Sequence, residues 1–552
     1  MTEEDKDKQK NPNSNKEKEE TENSENQTNN DNKNKEEKKP GKKQSLGKET
    51  MKNSGYNLTN TIVSKAGGLI LTIILARLLL PELYGLYNLV LSITLIASAI
   101  INAGVQKTTI RYVSEQLGSG NREKARSYFR YLLKIRGVLF GILVLILALS
   151  AKYLANSVFE KPAIFLPILA GCFLVLMRAF KGVINSVFIS IRDFRTITIN
   201  SVIHQSLRIL LPLIAILVLS DEITLIGVFI ALGIAGLISG IFLYFSLGKN
   251  KDIIKGKVKE VDKKRIKEYL FYITLTAISL KFFGQVDTLM LGRAVSAEFL
   301  GFYRAALNLV LAVSTLFAFG NVLLPVFTRI TKERLERGFQ KTFRYITMIT
   351  VPATIGIIVV AKYFIIAIYG KAYITATLPL YALALIIFIM PISALYSSLF
   401  QAKEKPKLLT RFTLYSLLLN IVLNFVFIKY FPIWFNKGPE FAILGAGIAT
   451  LISRGFYLFI LAKKSKKTFT LKPISSGFFK FLFSALVMAG FLIFFKNLVD
   501  MNLVLGIIEI LLGIGIYFTT LYLIKGLSKE DISLVRGIIK GKLKSIKETK
   551  RI

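Results

Sequence analysis

Residues 65–77 read Lys65-Ala-Gly-Gly-Leu-Ile-Leu-Thr-Ile-Ile-Leu-Ala-Arg77, and residues 78–87 continue with Leu-Leu-Leu-Pro-Glu-Leu-Tyr-Gly-Leu-Tyr. The stretch is written a second time as Lys281-Phe-Phe-Gly-Gln-Val-Asp-Thr-Leu-Met-Leu-Gly-Arg293, followed by Ala-Val-Ser-Ala-Glu-Phe-Leu-Gly-Phe-Tyr303. Lys65 and Lys281, Gly68 and Gly284, Thr72 and Thr288, Arg77 and Arg293, Glu82 and Glu298, Gly85 and Gly301, and Tyr87 and Tyr303 share one offset (293 − 77 = 216). Phe129-Arg-Tyr131 recurs as Phe343-Arg-Tyr345, and Leu237-Ile-Ser239 as Leu451-Ile-Ser453, at nearly the same spacing. The chain therefore carries an internal duplication with a unit of roughly two hundred residues.

Outward from these copies, the composition names the solvent. A chain of 552 residues that is 52% hydrophobic, with mean hydropathy +0.50, is too apolar for a water-soluble fold and belongs in a bilayer. From about residue 57 onward, apolar runs of about 20 residues follow one another, each long enough to cross the hydrocarbon as a helix. They fall near 57–79, 84–104, 132–151, 163–187, 196–219, 223–247, 269–292, 299–328, 344–369, 374–400, 408–429, 441–462, 477–496 and 501–524. The expected fold is all-α and polytopic, with about fourteen transmembrane helices: two six-helix lobes related by the repeat, then two extra C-terminal helices.

The net charge of +38 does not point to nucleic acid, because no binding motif accompanies it. The Lys and Arg residues gather in 105–131, 248–268, 329–344, 401–411 and 463–475, while 80–83, 152–162, 220–222, 370–373 and 430–440 are short and nearly free of them. That alternation predicts a multi-pass protein of the cell membrane with both termini in the cytoplasm. An even number of helices per repeat gives both halves the same polarity. The expected segments are a disordered cytoplasmic tail over 1–53, an N-terminal lobe over 54–248, a basic linker over 249–268, a C-terminal lobe over 269–464, two further helices over 465–525, and a basic tail over 526–552. The first tail lacks the apolar core and cleavage site of a signal peptide. The last has Ile532, Val535, Ile538, Ile539, Leu543 and Ile546 at helical spacing; it reads either as an amphipathic helix on anionic membrane lipids or as an ordinary solvated tail.

One cysteine, Cys172, and one histidine, His204, exclude an intrachain disulfide and multi-histidine zinc sites. No phosphate-binding loop of the ATPase type occurs, and no cofactor is expected. Charge within the apolar runs is the remaining functional signal, since an ionised group there needs a partner or a wet cavity. Lys65 and Lys281 hold matching positions in the first helix of each half, where symmetry would set them across a central axis; the competing reading is snorkelling to the interface. Asn200, His204 and Arg208 recur every four residues on one helical face, and the second half carries Asn420 and Asn424 at the places of His204 and Arg208 (420 − 204 = 216). Arg178 and Lys181 add cations to the first half, although Lys181 is also placed to snorkel. His204 reads as a hydrogen-bonded packing residue more readily than as a proton relay. Asp287 either neutralises Lys281 or Arg208, or binds a coupling proton or sodium ion. Arg304 is read as reaching headgroups, and Arg454 and Glu509, without repeat partners, as less central. Together the cations fit an anion with an apolar body, such as a lipid with a phosphate headgroup.

Ala76-Arg-Leu-Leu-Leu-Pro-Glu-Leu-Tyr-Gly-Leu-Tyr87, Asn102-Ala-Gly-Val-Gln-Lys-Thr-Thr-Ile-Arg111, Gln285-Val-Asp-Thr-Leu-Met-Leu-Gly292, Gly301-Phe-Tyr-Arg-Ala-Ala306, Leu419-Asn-Ile-Val-Leu-Asn424 and Leu444-Gly-Ala-Gly-Ile-Ala-Thr-Leu-Ile-Ser453 occur in that order. In these motifs the chain resembles the polysaccharide-biosynthesis flippases of the multidrug/oligosaccharidyl-lipid/polysaccharide exporter superfamily, over about residues 55–525. The resemblance implies two six-helix lobes around a cavity, alternating access, and transfer of a polyprenol- or dolichol-phosphate-linked oligosaccharide from the cytoplasmic to the outer leaflet. It also implies cations in the N-terminal lobe that hold the lipid phosphate, matching Lys65, Arg178 and Arg208 in kind. Two other readings are a cation-coupled drug or metabolite antiporter, which an acid-lined cavity would favour, and a polytopic glycosyltransferase or polymerase, which needs catalytic carboxylates on a substantial loop.

Overall fold

A computed structural model describes residues 40–254, 260–317, 332–402, 406–469, 477–498, 503–528 and residue 531. The chain divides into two compact units, Met1–Thr59 and Asn60–Ile552. The described part of the first is helical from Pro40 onward, inside the stretch expected to be a tail; residues 1–39, 529–530 and 532–552 of the two expected tails lie outside the description. The fold below is that of the second unit.

All regular structure among the described residues is helical. In chain order the helices are α1 (Pro40–Gly118), α2 (Arg122–Tyr153), α3 (Phe165–Ser190), α4 (Phe194–Val218), α5 (Asp221–Ser246), α6 (Lys263–Phe283), α7 (Val286–Ala294), α8 (Ala297–Leu316), α9 (Lys332–Tyr369), α10 (Thr377–Ala384), α11 (Ile386–Ala402), α12 (Pro406–Trp434), α13 (Pro439–Phe469), α14 (Phe478–Leu498) and α15 (Leu503–Leu523). Among the described residues, ten helices are long and apolar enough to cross a membrane, or up to twelve if the bent pairs α6–α7 and α10–α11 each count as one span. Two of the fourteen runs read from the sequence lie together in α1, and α15 supplies only the shorter apolar stretch Ile508–Leu523.

The two runs in α1 meet at Leu80, whose φ of 56° and ψ of 174° are not helical. Pro81 follows it, and a proline ring clashes with a helical residue before it. The second copy breaks at the same register: α7 ends at Ala294, and Ser296 (296 − 80 = 216) is extended before α8 begins. Glu82 and Glu298 stand in the first turns beyond these breaks, where a carboxylate favours the positive helix end.

Burial runs opposite to that of a water-soluble protein. Leu149 and Phe479 are each 75% exposed and Val218 74%, while Asn88, Asp287, Arg304, Asn420, Asn424 and Thr450 are buried. A lipid-facing surface takes apolar side chains, and polar groups turn inward to find partners. Buried hydroxyls close onto their own helices, as Thr108 does on the Gly104 carbonyl and Thr354 on that of Thr350, both at 2.8 Å. Packing follows the repeat: α5 lies against α3 and α4 in the first half, and α13 against α12, α10 and α11 in the second. α14 and α15 pack on α9.

Beyond α15, Ser528 and Asp531 cap one another: the Ser528 amide donates to Asp531 Oδ2 at 2.7 Å, and the Asp531 amide donates to Ser528 Oγ at 3.2 Å. Each side chain thus satisfies the other residue's backbone donor. Arg344 Nη2 reaches Asp531 Oδ2 at 2.7 Å and Tyr345 donates to Oδ1 at 3.0 Å, tying the end of the chain to α9. Burial pushes the Asp531 carboxyl up, but these bonds hold it below its usual range.

Candidate functional site

A cavity of about 440 Å³ lies among α1, α3, α4, α5 and α6. Its polar lining is Ser98 and Gln106 from α1, Arg178 from α3, His204 and Arg208 from α4, and Lys281 from α6. The four-residue step on α4 points His204 and Arg208 the same way. Among the described residues no carboxylate lines this space, and Arg178 Nη1 is buried without a hydrogen-bond partner. His204 Nδ1 stands 3.3 Å from the Ala235 carbonyl, which can only accept, so Nδ1 carries the hydrogen and Nε2 is left as the acceptor of the neutral ring. Three cations and an imidazole thus share one enclosure within apolar helices. Such charge retains its ionised form only beside water or an anion.

Four of the residues singled out from the sequence, Arg178, His204, Arg208 and Lys281, come together here. Others do not. Lys65 does not line the cavity: its Nζ donates to the Thr315 carbonyl at 2.9 Å, in the last turn of α8, where a cation complements the negative helix end. Its repeat mate Lys281 instead lines the cavity. Asn200 is 2% exposed and its Oδ1 accepts from Ser239 Oγ at 2.8 Å, so it fastens α4 to α5 rather than facing the cavity. Ser98 and Gln106 were not singled out by sequence reasoning, since a neutral polar residue in an apolar run carries little signal.

Asp287 does not neutralise Lys281 or Arg208; no ion pair joins them among the described residues. The 45° bend between α6 and α7 leaves it in the first turn of α7, 2% exposed. Asn424 Nδ2 donates to Oδ1 at 2.7 Å, and Thr450 Oγ1 and Tyr303 OH donate to Oδ2 at 2.6 and 3.0 Å. Asn424 Oδ1 and both amide atoms of Asn420 are buried with no partner. The second half therefore holds a carboxylate among neutral donors where the first holds open cations. No group of three or more His, Cys, Asp or Glu side chains suited to a metal ion occurs among the described residues.

Arg304 does not reach headgroups. It is 5% exposed, with Nε on Asn88 Oδ1 at 3.2 Å, Nη1 on Thr288 Oγ1 at 3.1 Å and Nη2 on Asn308 Oδ1 at 3.1 Å. Further contacts between the halves gather beside the short loops at 80–83, 152–162 and 370–373. Arg77 donates through Nε to the Ile368 carbonyl at 2.6 Å and through Nη2 to that of Ala367. Its repeat mate Arg293 pairs with Glu160. Tyr373 donates to the Ala76 carbonyl at 2.7 Å, and Lys161 Nζ to that of Gly292, the repeat mate of Ala76, also at 2.7 Å. Each half thus clasps the other at equivalent places.

The family described as polysaccharide biosynthesis protein matches residues 50–331, just over half of the chain. An uncharacterized membrane protein of the cps region of Klebsiella pneumoniae is 25% identical over 275 residues, 49% of this chain and 55% of its own length. A probable low-salt glycan biosynthesis flippase, Agl15, of Haloferax volcanii is 25% identical over 252 residues, 45% and 50% of the two chains. The chain thus spans about half the length of these curated relatives. Among solved structures, the lipid II flippase MurJ in an inward closed conformation matches with a TM-score of 0.66 at 17% identity, over 84% of this chain and 97% of that one. An inward-facing multidrug resistance MATE family transporter of the MOP superfamily matches with a TM-score of 0.55 at 13% identity, over 74% and 95%. At these identities the likeness is one of fold.

Proposed function

Because the chain belongs to the polysaccharide biosynthesis protein family, we propose that it is a flippase carrying a polyprenyl- or dolichyl-phosphate-linked oligosaccharide from the cytoplasmic to the outer leaflet by alternating access. The observation that carries this reading is the cavity holding Arg178, Arg208 and Lys281 with no acid on its lining. Planar guanidinium groups bind phosphate oxygens in pairs, and a low-dielectric enclosure strengthens each contact. His204 Nε2 is free to accept from a ligand hydroxyl or water. In this reading the basic loops face the cytoplasm and the two repeats are the moving lobes. The clasp at the opposite end is then the closed outer gate, and it must open for release.

Asp287 supports coupling to a cation. Its carboxylate, with the unpaired oxygen of the Asn424 amide that bonds it, offers the hard oxygen donors that a sodium ion takes, or a seat for a proton. An antiporter of small cations would need such an acid facing the Arg208 cavity, and among the described residues none lines it.

The test is transbilayer movement of a fluorescent polyprenyl-diphosphate sugar in liposomes containing the purified protein. Wild type accelerates it, and Arg208→Ala weakens lipid-phosphate binding at least tenfold, the scale of one lost charge-assisted hydrogen bond. No acceleration, together with extrusion of a cationic dye, would sink the reading.

A further inference from the structure

The second half contains its own cavity, of about 250 Å³, across α6 from the first. Leu174 and Arg178 of the first half line one space, and Met390 and Ala394 of the second half line the other. The two spaces flank one turn of α6, with Lys281 lining the first and Leu280, Phe283 and Gly284 the second. The cation of the second cavity is Arg454 on α13, and Gly240 stands at its place in the first half, since Leu237-Ile-Ser239 matches Leu451-Ile-Ser453 (454 − 214 = 240).

Arg454 is built to meet a ligand. Its guanidinium stacks over the Phe283 ring, 5.1 Å from the centroid, and its Nε is buried without a hydrogen-bond partner. No carboxylate lies within ion-pair distance of it among the described residues. Asp287, the acid one turn away through Thr450, is already occupied by three donors. In the same cavity, Ser397 Oγ on α11 and Tyr457 OH, one turn beyond Arg454 on α13, share one hydrogen bond at 3.2 Å. Two hydroxyls joined by one bond use one hydrogen, and the second hydroxyl hydrogen is free to donate. A guanidinium fork and a hydroxyl donor lining one cavity are a donor set for a carboxylate or phosphate oxygen. Apolar helices around it make the unpaired cation costly unless such an anion or water fills the space.

We propose that the Arg454 cavity is a second anion subsite, which binds an acidic group on the glycan while the first cavity holds the lipid phosphate. The cargo is then a lipid-linked oligosaccharide carrying a carboxylate or phosphate on a sugar. This rests on the flippase reading, and the two halves of the cargo are tested by different residues.

The experiment compares binding of two fluorescent polyprenyl-diphosphate oligosaccharides, one neutral and one bearing a single hexuronate, to purified full-length protein. Arg454→Gln lowers affinity for the acidic lipid about tenfold, as expected for a charge-assisted contact, and leaves the neutral lipid unchanged. A sugar phosphate in place of the uronate distinguishes the two anion types. Equal loss for both lipids would overturn the proposal by assigning Arg454 to the diphosphate or to the fold, and unchanged affinity would overturn it outright. Should Arg454→Gln fail to fold, Tyr457→Phe with Ser397→Ala removes the hydroxyl donor and keeps the charge; it lowers only the acidic affinity if the subsite exists. Arg208→Ala weakens both lipids if the flippase reading holds; a result sparing both counts against that reading and not against the Arg454 discrimination.

Discussion

Arg304 Nε donates to Asn88 Oδ1 at 3.2 Å, and the two residues hold the same position in the two copies of the repeat (304 − 88 = 216). A residue touches its own repeat mate only near the axis relating the copies, so this bond marks where the halves cross. Gly85 and Gly301 mark it again. A Cβ on Gly85 would lie 1.8 Å from the Ala297 carbonyl oxygen, and one on Gly301 would lie 2.0 Å from that of Pro81, itself the mate of Ala297. Small residues let the two backbones approach this closely, the device by which helices associate where lipid supplies no hydrophobic drive.

Alanine at either glycine therefore separates the helices. Gly85→Ala and Gly301→Ala each cost about 1–3 kcal/mol by overpacking against backbone that cannot yield. Gly68→Ala, whose Cβ would meet nothing within 4 Å, is neutral or stabilising, because alanine is the better helix former. Thermal unfolding in detergent compares the three. Equal midpoints for all would contradict the crossing.

The two repeat-related lysines separate in function. Lys281→Ala weakens binding of the lipid diphosphate about tenfold, whereas Lys65→Ala, which loses one exposed bond to a helix-end carbonyl, changes it less than twofold. Titration of the fluorescent lipid measures both.

Asp287→Asn keeps the side-chain shape and one acceptor oxygen while removing the charge. Transport then proceeds at a rate independent of an imposed sodium or proton gradient, and lipid binding stays within a factor of about two of wild type, since Asp287 lies apart from the lined cations. The measurement is flipping in liposomes with and without each gradient. Retained gradient dependence would leave Asp287 a structural acid.

At the clasped end, the hydrogen bond from Arg293 holds the Glu160 carboxyl below its usual range. A depressed carboxyl contributes above its unfolded value, about pH 4.3, and loses that contribution as pH falls through the lower folded value. The contribution is small, because the side chains are 49% and 63% exposed and solvent screens them. Glu160→Gln therefore flattens the acid side of the stability profile with little change at neutral pH. Lys161→Met strips two carbonyls, Gly292 at 2.7 Å and Val295 at 2.9 Å, of their donor and costs about 1–3 kcal/mol at neutral pH. Unfolding midpoints across pH distinguish the two.

The sequence by itself determined the bilayer as solvent, the helical class, the duplication and its 216-residue register, and the break before Pro81, because hydropathy, repeat offset and proline sterics are local properties of the chain. It also picked out Arg178, Arg208 and Lys281, since charge in an apolar run is conspicuous wherever it folds. Only the tertiary structure decided which of those charges share a space. Lys65 and Lys281 are equivalent in the repeat, yet one reaches a helix end and the other a cavity. Arg304 and Arg454 looked peripheral and lie in the interior. The neutral partners of Asp287 come from α8, α12 and α13, and no spacing along the chain encodes that meeting. Facing across helices depends on the bend between α6 and α7 and on how closely Gly85 and Gly301 let the halves approach, which packing settles after the local pattern is exhausted.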